Sequence, residues 1–219
     1  MRKSEEICLD FDRTQRINMP EAVYCEGKTT DQCLEIVQQM LENENSDDAV
    51  IATRATEEQF DALLTLQPDA AKYSTLSWRH RPSTDFTVGI VSAGTSDVRI
   101  ASESRITLEA LGHSTFTVTD VGVSGLHRLT EVLPSLKKAD VLVAIAGMEG
   151  SMPTVLAGLV PQPIVGVPTS SGYGSSLDGV TALLSMLASC APGIAIVGID
   201  NGFGSACVAH RISQLRSSG

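Results

Sequence analysis

Cys190, Glu149 and the His127-Arg128 pair are the residues whose types and settings could carry chemistry in this chain. The thiol ends an apolar, helix-like run (Ala182, Leu183, Leu184, Met186, Leu187), and Ala191-Pro192-Gly193 follows at once. Proline has no N–H to donate and glycine accepts the angles of a helix end, so Cys190 is expected at a corner. A thiolate there would add to an electron-poor carbon; a buried thiol would only pack. The residues alone leave both readings open. A helix C-terminus does not favour a thiolate, so the nucleophile reading needs a cation or a cationic substrate nearby. Glu149 is the one acid in Gly147-Met148-Glu149-Gly150-Ser151. It suits a general base, or a charge that complements a helix start. His127 could move protons near neutral pH and Arg128 could grip a carboxylate or phosphate; a helix-surface pair is the other reading.

These groups need a scaffold that brings them together. Beyond residue 85, apolar β-branched runs at 86–91, 115–119, 141–146, 163–167 and 194–199 alternate with helical patterns at 97–111, 124–138, 151–160, 175–189 and 204–215. That alternation predicts an α/β domain, a parallel sheet covered on both faces in three layers. Ligands of such sheets bind beyond the carboxyl ends of the strands. Each predicted strand exits there into a small or polar turn. The turns carry Gly94-Thr95-Ser96-Asp97, then Asp120, then Gly147-Met148-Glu149-Gly150, then Thr169-Ser170 with Gly172-Tyr173, then Asp200-Asn201. Glycine lets backbone approach a ligand, and helix-opening N–H groups attract anions, so these turns point to a phosphate-bearing ligand. Turn geometry alone would also use glycine. Neither a Walker A pattern nor a GxGxxG after the first strand is present, which excludes the ordinary ATPase and dinucleotide signatures.

The two halves differ in composition. Residues 1–85 hold one glycine of 18, and 9 Lys+Arg against 17 Asp+Glu; residues 86–219 hold 7 against 9. A polar Trp-Arg-His-Arg-Pro stretch at 78–85 reads as a linker, which predicts a small N-terminal α/β unit over 1–80 and a second domain over 86–216. Within the first unit, residues 1–30 are polar and poorly periodic, a helix opens at Thr30-Asp31, one strand is expected at 49–52, and Thr56-Glu57-Glu58-Gln59 has the capping-box pattern. Arg13, Arg16 and Lys28 in that polar stretch suit either a flap across a site or a solvated arm. The net charge of −10 argues against a nucleic-acid surface. Apolar runs are well short of the roughly 20 residues that span a bilayer, and an acidic start does not resemble a signal peptide. Five cysteines without CxxC spacing suggest reduced thiols in a cytoplasmic protein.

The motifs carry a resemblance. Ser92-Ala93-Gly94-Thr95-Ser96-Asp97, Ser124-Gly125-Leu126-His127-Arg128, the Ala146–Pro153 loop and Pro163-Ile164-Val165-Gly166-Val167-Pro168 resemble motifs of the aminoimidazole ribonucleotide carboxylase (PurE-like) domain. Arg13, Arg16, Pro20-Glu21, Glu26-Gly27-Lys28-Thr29, Gly172-Tyr173-Gly174, Ser189-Cys190 and Ile199-Asp200-Asn201-Gly202-Phe203-Gly204 extend the likeness to the LarB family of nickel-pincer cofactor biosynthesis proteins, over nearly the whole chain. Asn18-Met19 and Ser171 depart from that family's usual residues. The resemblance implies a PurE-like, flavodoxin/Rossmann-type sheet. It implies carboxylation of the pyridinium ring of nicotinic acid adenine dinucleotide and hydrolysis of its phosphoanhydride, giving pyridinium-3,5-biscarboxylic acid mononucleotide and AMP. Cys190 would be the nucleophile, Glu149 or His127 the base, and the turn residues with Arg128, Lys28, Arg13 and Arg16 would hold the dinucleotide. Mg2+ is expected, with Asp97, Asp120 and Asp200 as guesses for its ligands. The resemblance implies no organic cofactor, a homo-oligomer, an octamer in PurE-like domains, and sites shared between subunits. Two other readings are a purine-pathway carboxylase or mutase, which needs His127 and not Cys190, and a non-catalytic nucleotide-binding module.

Overall fold

The computed structural model of the chain describes residues 7–43 and 45–216. Two compact units emerge, one running through Pro82 and taking in Glu109–Gly112, the other made of Ser83–Leu108 and the chain from His113 onward.

The first unit contains α1 (Arg13–Ile17), β1 (Ala22–Tyr24), α2 (Thr30–Leu41), β2 (Val50–Thr53), α3 (Glu57–Leu64), β3 (Ala70–Lys72) and β4 (Thr75–Trp78). Both longer helices open with a capping box, Thr29 with Gln32 and Thr56 with Gln59, which satisfies N–H groups that a helix start leaves unpaired. The sheet order is β1-β2-β4-β3, with β1 and β2 parallel and the other pairs antiparallel. One strand was expected here, and four are present. β1 lies inside the stretch that looked aperiodic, because three residues are too few to show a period of two. Trp78 is not part of a linker. It ends a fully buried strand, and its indole N–H donates to the Leu66 carbonyl at 3.0 Å. The arginines, histidine and proline after it make the segment look polar one residue too early.

The second unit is a five-stranded parallel sheet in the order β6-β5-β7-β8-β9. Its strands are β5 (Thr87–Ser92), β6 (Ser114–Val118), β7 (Val141–Ala146), β8 (Ile164–Pro168) and β9 (Ile194–Ile196). The helices are α4 (Val98–Ala110), α5 (Leu126–Leu136), α6 (Ser151–Ala157), α7 (Val180–Leu187) and α8 (Gly202–Arg216). All six residues of β7 are buried. Leu142, Ala144 and Ala146 join one core with Leu129 of α5, Leu156 of α6 and Met186 of α7. Val141, Val143 and Ile145 join the other with Ala101 and Leu108 of α4 and Ala209 of α8. Alternate side chains of a strand point to opposite faces, so a continuous apolar run is what a sheet between two helical layers requires. This is the three-layer α/β architecture. The expected helix over 175–189 is shorter: residues 174–179 form a tighter turn with Leu177 and Asp178 in left-handed conformation, and α7 starts only at Val180.

Candidate active site

In this strand order the chain reverses direction across the sheet at β5, between β6 and β7. Loops leave the two sides of such a point in opposite directions and open a crevice. A cavity of about 260 Å3 lies there. Ala93, Gly94, Ser96 and Asp97 line it after β5, Gly122, Val123 and Ser124 after β6, the Ala146–Met152 turn after β7, and Ser171 after β8. No lysine, arginine or histidine is among the lining residues.

Asp97 is its buried floor, 2% exposed. Its carboxylate accepts the Thr169 hydroxyl at 2.7 Å and the Gly94 N–H at 3.0 Å. Burial pushes the carboxyl above its ordinary value; bonds from Thr169, Gly94 and Ser171 oppose that, and the charge of Asp200 adds to it. The wall beside it tolerates no side chain at Gly147, where a Cβ would lie 2.1 Å from the Ser171 carbonyl oxygen and 2.7 Å from the Thr169 hydroxyl. The Met148 N–H bonds that same Ser171 carbonyl at 2.9 Å, locking the turns after β7 and β8 together. Asp120, Met148 and Asp200 all take positive φ, a conformation uncommon outside glycine, at the carboxyl ends of three strands.

Of the expected site residues, Gly94, Ser96, Asp97, Gly147, Met148 and Glu149 line the cavity; Glu149 is exposed at its rim. Thr95 and Gly150 lie in the same turns without lining it. Thr169 is fully buried and spends its hydroxyl on Asp97, so it positions that carboxylate. Asp120 and Arg128 pair with each other at 2.6 Å, and Arg128 packs on Gly125. His127 is exposed on the first turn of α5. Asp200 accepts the Ser170 N–H at 2.9 Å and ties the turns after β8 and β9. Asn201 caps α8 by accepting the Gly204 N–H at 2.6 Å. Gly172 and Tyr173 are exposed in the turn after β8, with Tyr173 80% exposed. Ser124, Ser151 and Ser171 line the cavity without having been assigned a role. Their position in the same strand-end turns was the available signal.

Cys190 is exposed and does not line the cavity of its own chain. α7 starts where Gly179 packs against the Thr169 carbonyl and leads away from there over its eight residues, about 12 Å. Past its end, Ser189 accepts the Thr154 hydroxyl at 2.9 Å, and Gly193 accepts the Ile164 N–H at the opening of β8. Leu177, Val180, Leu184 and Leu187, spaced three, four and three residues apart, are exposed along this segment. Arg13, Arg16 and Lys28 belong to the first unit. There Arg16 pairs with Asp10, and the Lys28 ammonium donates to the Tyr24 carbonyl at 2.7 Å. Among the described residues no three His, Cys, Asp or Glu side chains converge as a metal site would require. None of the described helices is long and apolar enough to cross a membrane.

Comparison with known proteins fits this geometry. Residues 2–78 match the LarB/PurE-like N-terminal domain, and residues 87–218 match AIR carboxylase. An uncharacterized protein of Methanocaldococcus jannaschii is 37% identical over 96% of this chain and 85% of its own length. The N5-carboxyaminoimidazole ribonucleotide mutase of the same organism is 36% identical over 58% of this chain and 78% of its own. The crystal structure of Treponema denticola PurE shares the fold, with a TM-score of 0.51 at 20% identity over 62% of this chain and 82% of that one. With the LarB-type N-terminal domain joined to an AIR carboxylase domain in that order, the chain belongs to the LarB family.

Proposed function

We propose that the protein carboxylates the pyridinium ring of nicotinic acid adenine dinucleotide with CO2 and hydrolyses the phosphoanhydride, releasing pyridinium-3,5-biscarboxylic acid mononucleotide and AMP. The observation that carries this reading is the pairing of domains: the mutase relative matches only 58% of the chain, whereas the LarB-type unit precedes it here. A pyridinium carbon is electron-poor and does not attack CO2. The Cys190 thiolate adds to the ring, and the electron pair that moves into the ring makes a neighbouring carbon nucleophilic. That carbon bonds to CO2. Glu149, or His127 in its place, then removes the hydrogen from the same carbon, the ring regains its aromaticity, and the carbon–sulfur bond breaks to return the thiolate. The cationic ring supplies the charge that favours the thiolate. The turns bearing Gly94–Asp97, Gly147–Gly150 and Thr169–Tyr173 bind the nucleotide. Hydrolysis is the Mg2+-dependent part of the proposal, because the leaving phosphate carries charge.

Cys190 lies off the cavity of its own chain, so the mechanism takes the thiol from another copy in a homo-oligomer. The exposed side chains Val180, Leu184 and Leu187 of α7, with Leu177 exposed in the turn before it, support such a contact, since the spacing along α7 is that of a helix–helix seam. The test is incubation with the dinucleotide, bicarbonate and Mg2+, with products followed by mass spectrometry. Wild type should give the dicarboxylated mononucleotide and Cys190→Ala should not. Absence of that product from wild type would remove the function; an active Cys190→Ala protein would remove only the covalent step.

The mutase relative favours a second reading, conversion of N5-carboxyaminoimidazole ribonucleotide. That reading predicts turnover of this ribonucleotide, its loss in His127→Ala, and unchanged turnover in Cys190→Ala.

A further inference from the structure

The proposed hydrolysis calls for a divalent cation, yet the three aspartates expected to hold it are already engaged. Asp97 is buried and accepts bonds on both oxygens, from Thr169 and from Gly94. Asp120 is paired with Arg128, and Asp200 accepts the Ser170 N–H. No set of three metal-ligating side chains converges among the described residues, so Asp97, Asp120 and Asp200 do not fit a resident metal. The cavity also poses an electrostatic problem for a bare diphosphate. Its wall holds two acids, Asp97 and Glu149, and no cationic side chain. Backbone N–H groups at the starts of α5 and α6 offer partial positive charge only.

We infer that the divalent cation is not a resident of the protein: it enters on the diphosphate of the substrate, and the acid-lined, cation-free cavity selects that metal–diphosphate pair over the free anion. Mg2+ suits this, because it keeps several waters and commonly binds through substrate phosphates with one or two carboxylates. The cation then offsets the repulsion between the diphosphate and the two acids, and Glu149 at the rim is placed to meet it directly or through water. The inference rests on the dinucleotide reading above.

The test is equilibrium dialysis of the intact protein in bicarbonate-depleted buffer, with Mn2+ as the probe metal followed by its paramagnetic resonance. Three arms hold Mn2+ alone, nicotinic acid adenine dinucleotide with EDTA, and both together. The expected result is no stoichiometric Mn2+ on the protein alone, one Mn2+ retained per bound dinucleotide, and dinucleotide affinity at least roughly tenfold higher with Mn2+ than with EDTA. One Mn2+ per chain without nucleotide would overturn the inference, and its loss in Asp200→Asn or Asp97→Asn would locate the resident site. Equal dinucleotide affinity with and without Mn2+ would also overturn it, while leaving the functional reading intact. No dinucleotide binding in either arm would remove the functional reading and this inference with it.

Discussion

Replacing Thr169 with valine should destabilise the second unit, and by an amount that depends on pH. The substitution keeps the shape of the side chain and removes one hydroxyl, which donates at 2.7 Å to a carboxylate only 2% exposed. A hydrogen bond to a charged group contributes about 1.5–3 kcal/mol. For a chain of this size that corresponds to a fall in Tm of roughly 3–12 °C. The sign of the pH effect follows from Asp97. Burial raises its carboxyl above the ordinary 3.8, so the folded protein keeps this proton to higher pH than the unfolded chain. Its contribution to stability is therefore complete below the ordinary value and is lost as pH rises through the raised one. The Thr169 bond favours the charged form and restrains that loss. Without it the carboxyl moves further up, so the gap between wild type and Thr169→Val should widen from pH 4 towards neutrality. Thermal unfolding followed by circular dichroism across that range would measure it, with Thr169→Ser, which restores a hydroxyl, recovering most of the difference. A gap that stayed constant with pH, or a Thr169→Val protein as stable as wild type at pH 7, would refute the assignment of Thr169 as the group that opposes the rise of the Asp97 carboxyl.

Gly147→Ala should cost about 1–3 kcal/mol and weaken dinucleotide binding, because the added Cβ meets a backbone oxygen that cannot rotate away; wild-type affinity in a binding titration would count against the turn forming the wall. Titration with a disulfide reagent should label Cys8 and Cys190 quickly and leave Cys25 and Cys33 unmodified until denaturant is added, since burial pushes the Cys25 thiol up to about 12. Rapid modification of four thiols in the native protein would contradict that packing. Leu184→Glu with Leu187→Glu should lower the mass measured by light scattering if the exposed stripe pairs copies of the chain; an unchanged assembly would exclude this face.

The second unit was legible in the sequence because its central strands, β5, β7 and β8, are buried on two sides. Val141–Ala146 is apolar at every position, and such a run between two helical patterns has few other folds open to it. The first unit hid its sheet for the opposite reason. Ala22–Tyr24 and Ala70–Lys72 are three residues each, and β3 is largely exposed, so neither pattern nor hydropathy marks them. Thr75–Trp78 is buried throughout and was missed because the charged run after it dominated the reading.

The candidate site divides along a different line. Which turns gather was readable, since parallel strands deliver their carboxyl ends to one edge and the glycines, serines and aspartates stand at those ends. What each side chain does there was not, because residue type does not say whether a polar group faces the ligand or a neighbouring turn. Thr169, Asp200 and Asn201 face neighbours: a carboxylate, a loop N–H and a helix start. Cys190 shows the limit most clearly. The Pro-Gly corner placed the thiol at a helix end and left a packing and a reactive role both open; in the structure the thiol is exposed. The residues that lead to it, Val180, Leu184 and Leu187 on α7 with Leu177 in the turn before, form an exposed apolar stripe of the kind that marks an interaction surface. A chain that ends an unpartnered apolar stripe with a reactive residue makes best physical sense when one contact serves both, covering the stripe and carrying the thiol to the cavity of a neighbour.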